Sequence, residues 1–553
     1  MYIVDVIPLI KILRPNPQIL TYFSANAIKS GGLVKISLRN KKINALVFNC
    51  QKMEQKTKIQ LKKFTDFQIK PVEKIVSFKP VITEKQMKLL FWIAEYYFAP
   101  LGIVAKIFLA KHFSVEDKKF KIKKLIITPK NKSLIFAPFK NLKSIIIEDE
   151  SNELYQSWGR KPYYNVKNIA TELAKIHRAK LIFKTTLPSI ESYYYSRSSH
   201  KKYELEIEKS KIDSQSKIES FLVDMREELK RGNSSIISLE LQEKIKKSEK
   251  SILYISRRGT NTFILCRECG YVAMCKNCDV PLVYHADKAK MKLVCHHCGR
   301  EEIAPVICPN CKSIKIKYFG AGTQKVETEI KRLFPEKNTF RLDSDISSDF
   351  NTQQQIIRGF QNSKNAVLVG AQMLFGKNLN ADLGAIVSVE TILNLPDFYS
   401  AERVFQIINK IRNMSQKTFL IQSYNPESPA IVNALANNFA EFYNNEIKAR
   451  RTFGYPPFSQ IIKLQFAHKN PENARNEAKI IFEKIKTQKN NLKITDEQLE
   501  ILGPVPAFIP RKNGLYHWNI VLKSKIKDVQ LRNRLLVTIP PKWEIIIDPQ
   551  TLL

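Results

Sequence analysis

Alternating apolar and polar positions at the start of the chain predict short strands. Val34 to Leu38 alternates with period two, Arg39 to Lys42 predicts a turn, and Ile43 to Phe48 predicts a second strand. The apolar segment Met1 to Leu13 is interrupted by charges and lacks a basic start, which favours a strand over a signal peptide. These patterns predict a β-rich region over residues 1–75.

Helical spacing begins after this region. Apolar residues recur every three or four positions in TEKQMKLLFWIAEYYF, and Thr83 is a candidate N-cap. Ser144 to Ile147 predicts a buried strand that ends in three acids, Glu148 to Glu150. Helical and strand patterns then alternate to about residue 440, which predicts an α/β core. Residues 445–553 form a last unit with strands of its own.

Composition narrows the partner and the compartment. Lys and Arg number 90 and Asp and Glu number 52 among 553 residues, so the net charge is +38 and a polyanion partner is expected. No run of about 20 apolar residues predicts a membrane span. Eight of the nine cysteines lie in one short segment, which favours metal binding in a reducing compartment over disulfides. We therefore expect a cytoplasmic protein.

The clustered cysteines form four C-x2-C knuckles. This spacing lets both thiolates of a knuckle face one metal ion, and two knuckles complete a tetrahedral site. Four knuckles therefore predict two closed, structural zinc sites, with an iron–sulfur cluster or free thiols as alternatives. The predicted ligands are Cys266, Cys269, Cys275, Cys278, Cys295, Cys298, Cys308 and Cys311. With eight thiolates available, the nearby His285, His296 and His297 are predicted to be structural rather than ligands.

Segments in and around the cysteines carry a family resemblance. Ser256 to Gly259 precedes the knuckles, CRECGYVAMCKNCDVPLVYH lies among them, and Phe319 to Gln324 follows. In these segments the chain resembles the primosomal protein N′ (PriA) family of bacterial replication-restart helicases. Further similar segments, in collinear order over most of the chain, are WIAEYYFAPLG (92–102), PYYNVKNIA (162–170), LPSIES (187–192), LVGAQMLFGK (368–377), LPDF with AER (395–403), FYNNEIKARRTFGYPPFS (442–459) and LGPVPAFIPRKNGLYHWNIVLK (502–523).

The resemblance implies a metal pairing and a domain order. The first and last knuckles would share one zinc ion, and the middle two the other. The implied fold is multidomain α/β, with degenerate RecA-like helicase lobes and an inserted two-zinc module. The expected regions are a β-rich N-terminal DNA-binding domain (1–75), a winged-helix-like segment (80–115), a truncated first helicase lobe lacking a P-loop (116–212), a second lobe (213–265 and 313–440), the zinc module (266–312) and an α+β C-terminal DNA-binding domain (441–553).

Nucleotide chemistry is where the chain departs from the family. A P-loop reads G-x4-G-K-[ST], because glycine amides cradle the phosphates and the lysine reaches the terminal ones, and no such segment is present. The family's D-E-E-H reads Glu148 to Ser151, which predicts a solvated strand end. Its Q-V-A-G-R-A-G-R reads Lys410 to Lys417 and has no arginine at the family's two arginine positions. Losing an arginine finger alone slows hydrolysis about 10³- to 10⁵-fold, so we predict no catalytic residues, no nucleotide-binding residues and no ATPase or helicase activity.

Basic and aromatic residues near both ends are candidate DNA contacts. Cations track phosphates, and rings stack on the bases of single strands. The candidates are Lys35, Arg39, Lys41, Lys42, Arg511, Lys512, Tyr516 and Trp518. By contrast, Trp92, Tyr96 and Tyr97 lie at helical spacing and are predicted to be core residues.

The leading hypothesis is a replication-restart protein that binds DNA forks and scaffolds reloading of the replicative helicase. The resemblance implies forked and single-stranded DNA, single-stranded-DNA-binding protein, other primosome proteins and the replicative helicase as partners. Two alternatives stay open: a divergent, active ATP-dependent 3′–5′ helicase, and a zinc-ribbon factor of transcription or RNA processing. Unwinding that depends on ATP would distinguish the first alternative from the leading hypothesis. Tighter binding to RNA than to forked DNA would distinguish the second.

Overall fold

Two compact units make up the chain in the computed structural model. The first contains Met1–Glu208, Ser459–Ile501 and Leu522–Gln550, and the second contains Lys209–Phe458, Leu502–Val521 and Thr551–Leu553. In the part of the chain that is described, no helix has the length and apolar character needed to cross a bilayer. The structure describes residues 1–14, 16–53, 69–109, 120–157, 161–198, 202–208, 218–256, 263–278, 280–287, 290–319, 322–343, 346 and 349–553.

An antiparallel sheet begins the first unit, in the order β2-β1-β4-β3-β5. The predicted strands are confirmed, but the predicted turn was too long. Only Arg39 and Asn40 form it, both with positive φ (48° and 60°), as a two-residue hairpin turn requires. Lys41 and Lys42 already belong to the next strand. The strands are β1 (Tyr2–Pro8), β2 (Leu20–Ser24), β3 (Leu33–Leu38), β4 (Lys41–Lys52) and β5 (Lys74–Ser77).

Helices α1 (Glu84–Tyr96) and α2 (Leu101–Phe108) follow the sheet. The predicted cap at Thr83 is confirmed as a capping box with Gln86: the Gln86 amide donates to Thr83 Oγ1 at 3.1 Å, and the Thr83 amide donates to Gln86 Oε1 at 2.8 Å. The prediction that the aromatic residues of this segment are core is confirmed for Tyr97, whereas Trp92 and Tyr96 are half-buried. Tyr97 is buried, and the ring of Trp92 stacks on Tyr96 with centroids 4.7 Å apart.

A four-stranded parallel sheet, in the order β6-β7-β8-β9, completes the N-terminal half of the first unit. The predicted buried strand is β7, whose residues Ile145, Ile146 and Ile147 are buried. Short 3-10 turns cover Lys132–Phe136 and Glu153–Tyr155. The other elements are β6 (Lys124–Ile127), β7 (Ser144–Glu148), α3 (Val166–His177), β8 (Lys180–Thr185), α4 (Ile190–Arg197) and β9 (Glu204–Ile207).

The second unit is built on a six-stranded parallel sheet, in the order β10-β20-β19-β11-β18-β17. Two small antiparallel sheets, β12-β16 and β13-β14-β15, carry the cysteines between β11 and the next helix. A 3-10 turn covers Gln372–Leu374. The elements are β10 (Glu219–Asp224), α5 (Met225–Lys230), α6 (Leu239–Lys247), β11 (Lys250–Ile255), β12 (Phe263–Cys266), β13 (Val283–Asp287), β14 (Lys290–Val294), β15 (Glu301–Ile303), β16 (Ile316–Phe319), α7 (Thr323–Leu333), β17 (Asn338–Leu342), α8 (Phe350–Asn362), β18 (Ala366–Gly370), β19 (Ala381–Ser388), α9 (Glu390–Leu393), α10 (Ser400–Arg412), β20 (Ser415–Ser423), α11 (Pro429–Leu435) and α12 (Phe439–Thr452).

The C-terminal strands form a four-stranded sheet, in the order β22-β23-β21-β24. Two of these strands make a long hairpin whose base belongs to the first unit and whose tip, residues 502–521, belongs to the second. The elements are β21 (Gln460–His468), α13 (Pro471–Asn491), β22 (Leu499–Lys512), β23 (Leu515–Ser524), α14 (Val529–Leu536) and β24 (Glu544–Ile547).

A buried polar network joins distant segments within the first unit. The hydroxyl of Tyr96 donates to Asp548 Oδ2 at 2.6 Å, and the Asn168 amide donates to the same oxygen at 3.0 Å. The Arg532 guanidinium donates to the Tyr96 carbonyl at 2.6 Å and to Gln460 Oε1 at 2.8 Å. Burial raises the pKa of Asp548. Helices α1, α3 and α14 are thereby held together by hydrogen bonds as well as by apolar packing.

Candidate zinc and nucleic-acid sites

The eight predicted cysteines form two separate four-sulfur clusters. Each cluster has its four Sγ atoms within 4.8 Å of one another. We call them the outer cluster, which joins the first and last knuckles, and the inner cluster, which joins the middle two. The pairing that the family resemblance implied is therefore confirmed. The outer cluster is Cys266, Cys269, Cys308 and Cys311, and the inner cluster is Cys275, Cys278, Cys295 and Cys298.

The sulfur spacing fits zinc. A tetrahedral ion with bonds of about 2.3 Å places neighbouring sulfurs about 3.8 Å apart. The Sγ–Sγ distances are 3.6 Å for Cys266 and Cys311 and 3.7 Å for Cys275 and Cys298. Burial raises the pKa of the Cys266 and Cys275 thiols, and a bound cation would lower it again by stabilising the thiolates. Two zinc ions bound by these cysteines would supply that charge and hold the short strands together.

Tight turns explain why the sequence folds into knuckles. Gly270 and Gly299 have φ values of +77° and +80°, where a side chain is disfavoured. Their amides donate to the Cys266 and Cys295 carbonyls, each at 2.9 Å. Lys312 takes the same position after the last knuckle with φ +59°. The left-handed residue follows the second cysteine and closes the turn, with its amide bonded to the carbonyl of the first cysteine.

The histidines near the clusters have structural partners, as predicted. The His297 ring is buried, with Nε2 2.9 Å from the Pro396 carbonyl and Nδ1 3.0 Å from the Tyr455 hydroxyl. His296 Nδ1 lies 2.7 Å from the Pro506 carbonyl. The side chain of His285 lies outside the described residues. The two described histidines bond to oxygen atoms of other elements, which leaves the metal positions to cysteine.

The N-terminal sheet gathers some of its predicted DNA contacts on one face. Lys35 of β3 lies opposite Lys74 of β5. Ser37, two residues after Lys35 and therefore on the same face of β3, lies opposite Lys42 of β4. All three lysines therefore share the polar face. Lys42 also forms an ion pair of 3.0 Å with Glu73.

Two other predicted contacts of this sheet lie elsewhere. Arg39 occupies the hairpin turn, and Lys41, paired with Leu38, points toward the opposite face. Sequence reasoning missed Lys74, although its position in a short alternating strand was a usable signal.

The predicted C-terminal contacts cluster at the tip of the long hairpin. Arg511 and Lys512 are exposed beside the two-residue turn Asn513–Gly514, whose φ values are +52° and +76°. The Arg511 guanidinium lies 5.4 Å from the centroid of the Tyr516 ring. Trp518 is half-buried on the same strand as Tyr516. The structure thus brings the four predicted residues together on one hairpin.

The prediction of a solvated strand end at β7 was wrong for its last acid. Glu148 and Asp149 are exposed, but Glu150 is fully buried. Its carboxylate accepts from the Ser192 hydroxyl at 2.7 Å, from Lys167 Nζ at 3.0 Å and from the Ser189 amide. Its partners lie 17 to 42 residues away in the chain, so no local pattern could have indicated the burial.

Cations near the eroded arginine motif make structural bonds. The Arg412 guanidinium is buried and donates to the Ala434 carbonyl at 3.1 Å and to the Leu435 carbonyl at 2.9 Å, at the C-terminal end of α11. Lys417 is exposed and forms an ion pair of 2.8 Å with Asp382.

Three family models match the chain. A 3′ DNA-binding domain of PriA covers residues 10–110, the Cys-rich region domain of PriA DNA helicase covers 275–302, and the primosomal protein N C-terminal domain covers 451–550. Replication restart protein PriA of Bacillus subtilis (strain 168) is 33% identical over 422 residues, which is 74% of this chain and 51% of that protein. The chain belongs to the PriA family.

Other PriA proteins match over a similar share. The relative from Synechocystis sp. (strain ATCC 27184 / PCC 6803 / Kazusa) is 33% identical over 439 residues, 76% of this chain and 52% of its own length. The relative from Borreliella burgdorferi is 33% identical over 404 residues, 71% of this chain and 59% of its own length. The chain therefore spans about half the length of the curated PriA proteins it matches.

Proposed function

We propose that this PriA-family chain binds DNA forks and scaffolds replication restart without hydrolysing ATP. The observation that carries the proposal is the lack of any G-x4-G-K-[ST] segment in a chain that otherwise has the family's domains. Without backbone amides to cradle phosphates and a lysine to reach them, the chain has no recognised means to bind a nucleotide.

Contacts at the former motor positions support the same proposal. Glu150 is buried, and its carboxylate accepts from Ser189, Ser192 and Lys167. Arg412, within the segment that stands for the arginine motif but not at an arginine position, caps the C-terminal end of a helix. Lys417, at the motif's last arginine position, pairs with Asp382. Each group bonds to protein, as expected if the chain does not transfer phosphoryl groups.

DNA binding is the second part of the proposal. The family model over residues 10–110 is described as a 3′ DNA-binding domain, and the polar face of Lys35, Lys42 and Lys74 lies within this range. The net charge of +38 favours a polyanion. Cations interleaved with Tyr516 and Trp518 suit single-stranded DNA, because rings stack on bases while cations track the backbone.

The partners follow from the names of the relatives and from the family resemblance. Replication restart requires a helicase to be reloaded, so we propose single-stranded-DNA-binding protein, other primosome proteins and the replicative helicase as partners of this chain. A cytoplasmic location is part of the same proposal.

The test measures ATP hydrolysis with and without forked DNA, and fork binding by fluorescence anisotropy across a salt series. We expect salt-sensitive fork binding and no DNA-stimulated hydrolysis. The control variant is Asp149→Asn, which keeps the left-handed backbone of φ +51° because asparagine tolerates it. Hydrolysis that is stimulated by DNA and lost in this variant would instead establish the active-helicase alternative. Tighter binding to RNA than to forks would favour the zinc-ribbon alternative.

A further inference from the structure

The inner zinc cluster contacts the hairpin that carries the C-terminal candidate DNA contacts. We call Cys295 to Gly299 the inner knuckle and residues 502–521 the basic hairpin; both belong to the second unit. His296 of the inner knuckle has Nδ1 2.7 Å from the Pro506 carbonyl. Because a carbonyl only accepts, Nδ1 carries the proton and donates. The His296 ring also packs edge to face on Phe508, with centroids 6.0 Å apart at 80°.

A second contact comes from the backbone of the same knuckle. Gly299 lies so close to the basic hairpin that a Cβ added to it would be 3.0 Å from Val505 Cγ1. The glycine also has φ +80° and ends the turn that returns Cys298 to the cluster. The residues Val505, Pro506 and Phe508 therefore lie against the turn that binds the metal.

The opposite side of the inner knuckle is fixed in the core of the second unit. His297 Nε2 lies 2.9 Å from the Pro396 carbonyl, and Nδ1 lies 3.0 Å from the Tyr455 hydroxyl. Tyr455 in turn stacks on Phe398, with centroids 4.8 Å apart and planes at 4°. Adjacent histidines thus face in two directions, one toward the core and one toward the basic hairpin.

We propose that the inner zinc site positions the basic hairpin for nucleic acid, with His296 as the positioning residue. The proposal rests on the proposed function, in which the hairpin tip binds DNA. Arg511 is three residues beyond Phe508, about 10 Å along an extended strand. A two-stranded hairpin without support is only marginally stable. If the inner knuckle did not contact the basic hairpin, the tip would become ordered only when DNA binds, and that ordering would lower the affinity.

The test compares His296→Ala with His468→Ala. His468 is a half-buried histidine of the first unit whose Nδ1 lies within hydrogen-bond distance of the Asn470 backbone and whose ring stacks on Phe466, so the control makes the same chemical change away from the module. The measurements are zinc per chain, hydrogen exchange of residues 503–518, and the Kd for a fluorescein-labelled forked DNA. His296→Ala should keep two zinc ions, exchange faster in the hairpin and bind about three- to tenfold more weakly, which corresponds to one lost hydrogen bond. His468→Ala should match the parent chain.

A variant on the other side of the contact guards against damage to the metal site. Phe508→Leu removes the ring that His296 packs against but leaves the inner knuckle unchanged. It should speed hairpin exchange and weaken DNA binding in the same direction. The double variant with His296→Ala should lose less binding free energy than the sum of the two single variants, because both changes break the same contact between the inner knuckle and the basic hairpin.

The outcomes separate this inference from the proposed function. Unchanged hairpin exchange in both variants would overturn the inference whatever the DNA affinity, and so would loss of zinc in His296→Ala. Faster exchange with unchanged affinity would overturn the inference, and the Arg511→Ala, Lys512→Ala variant then decides whether the hairpin binds DNA. If Arg511→Ala with Lys512→Ala weakens DNA binding but His296→Ala and Phe508→Leu do not, the hairpin binds DNA without help from the inner knuckle. In that case only the inference fails.

Discussion

At the residue scale, Arg412 shows how a cation near a catalytic motif can serve stability alone. Its guanidinium donates to two carbonyls at the end of α11 and to Asn437 Oδ1 at 2.6 Å. We expect Arg412→Leu to lower the free energy of unfolding by about 2 to 4 kcal/mol, because buried carbonyl acceptors lose their donors. Urea denaturation followed by circular dichroism measures the change.

Lys417→Ala is the matched control for the arginine variant. Its ion pair with Asp382 has an exposed lysine, so removing it should cost at most about 1 kcal/mol. Equal losses in the two variants would mean that Arg412 contributes no more than a surface charge. A loss of nucleotide binding in Arg412→Leu with unchanged stability would contradict its structural role.

Single residues also show the limits of sequence reasoning. Tyr96 and Tyr97 were predicted to be core from spacing alone, because helical periodicity reports which face is buried. Glu150 was predicted to be solvated, since strand ends usually are, yet Ser189 and Ser192 satisfy its carboxylate inside the core. Burial of an acid depends on donors from another segment, and no local pattern records them.

At the element scale, the outer cluster is packed against the edge of the second unit's sheet. A Cβ at Gly270, which has φ +77°, would lie 2.4 Å from the Tyr424 carbonyl oxygen. The Tyr424 amide donates at 2.7 Å to Glu390, a buried carboxyl whose pKa is raised by burial. The turn after β20 is thus fixed on one side by Glu390 and approached on the other by the knuckle.

Gly270→Ala should therefore destabilise the second unit more than backbone strain alone requires. We expect a loss of about 3 kcal/mol in thermal or urea unfolding, because the clash with backbone adds to the left-handed strain. Gly232→Ala is the matched control, with φ +85° and nothing within 4 Å of the added carbon, and should lose about 1 kcal/mol. Similar losses would show that Tyr424 moves aside freely and that this contact does not hold the module.

Elements were predictable where the pattern is local. The knuckles follow from two-residue gaps, and the hairpin strands of the N-terminal sheet follow from alternation. The predicted turn at Arg39 and Asn40 was too long, because four consecutive polar residues do not indicate the position at which strand pairing resumes. The contact of His296 with Pro506 joins residues 210 positions apart, and neither spacing nor periodicity indicates it.

At the scale of the whole molecule, two basic surfaces lie in different compact units. The face of Lys35, Lys42 and Lys74 belongs to the first unit, and the basic hairpin belongs to the second. The net charge of +38 attracts DNA to every part of the chain, so affinity at one salt concentration does not identify the contacts. The salt dependence of affinity does, because it counts the phosphates that are neutralised.

Alanine at Lys35 and Lys74 together, and separately at Arg511 and Lys512 together, should each reduce the slope of log Kd against log salt. Each lost phosphate contact lowers the slope by about 0.7 to 0.9, so we expect a decrease of about 1.5 from either pair. Anisotropy of labelled forked DNA between low and physiological salt measures it. Lys247→Ala with Lys230→Ala is the control, since these exposed lysines pair with Glu243 and Glu227 on their own helices. If the control pair lowers the slope as much as the others, DNA binds through diffuse charge, and neither surface is a specific contact.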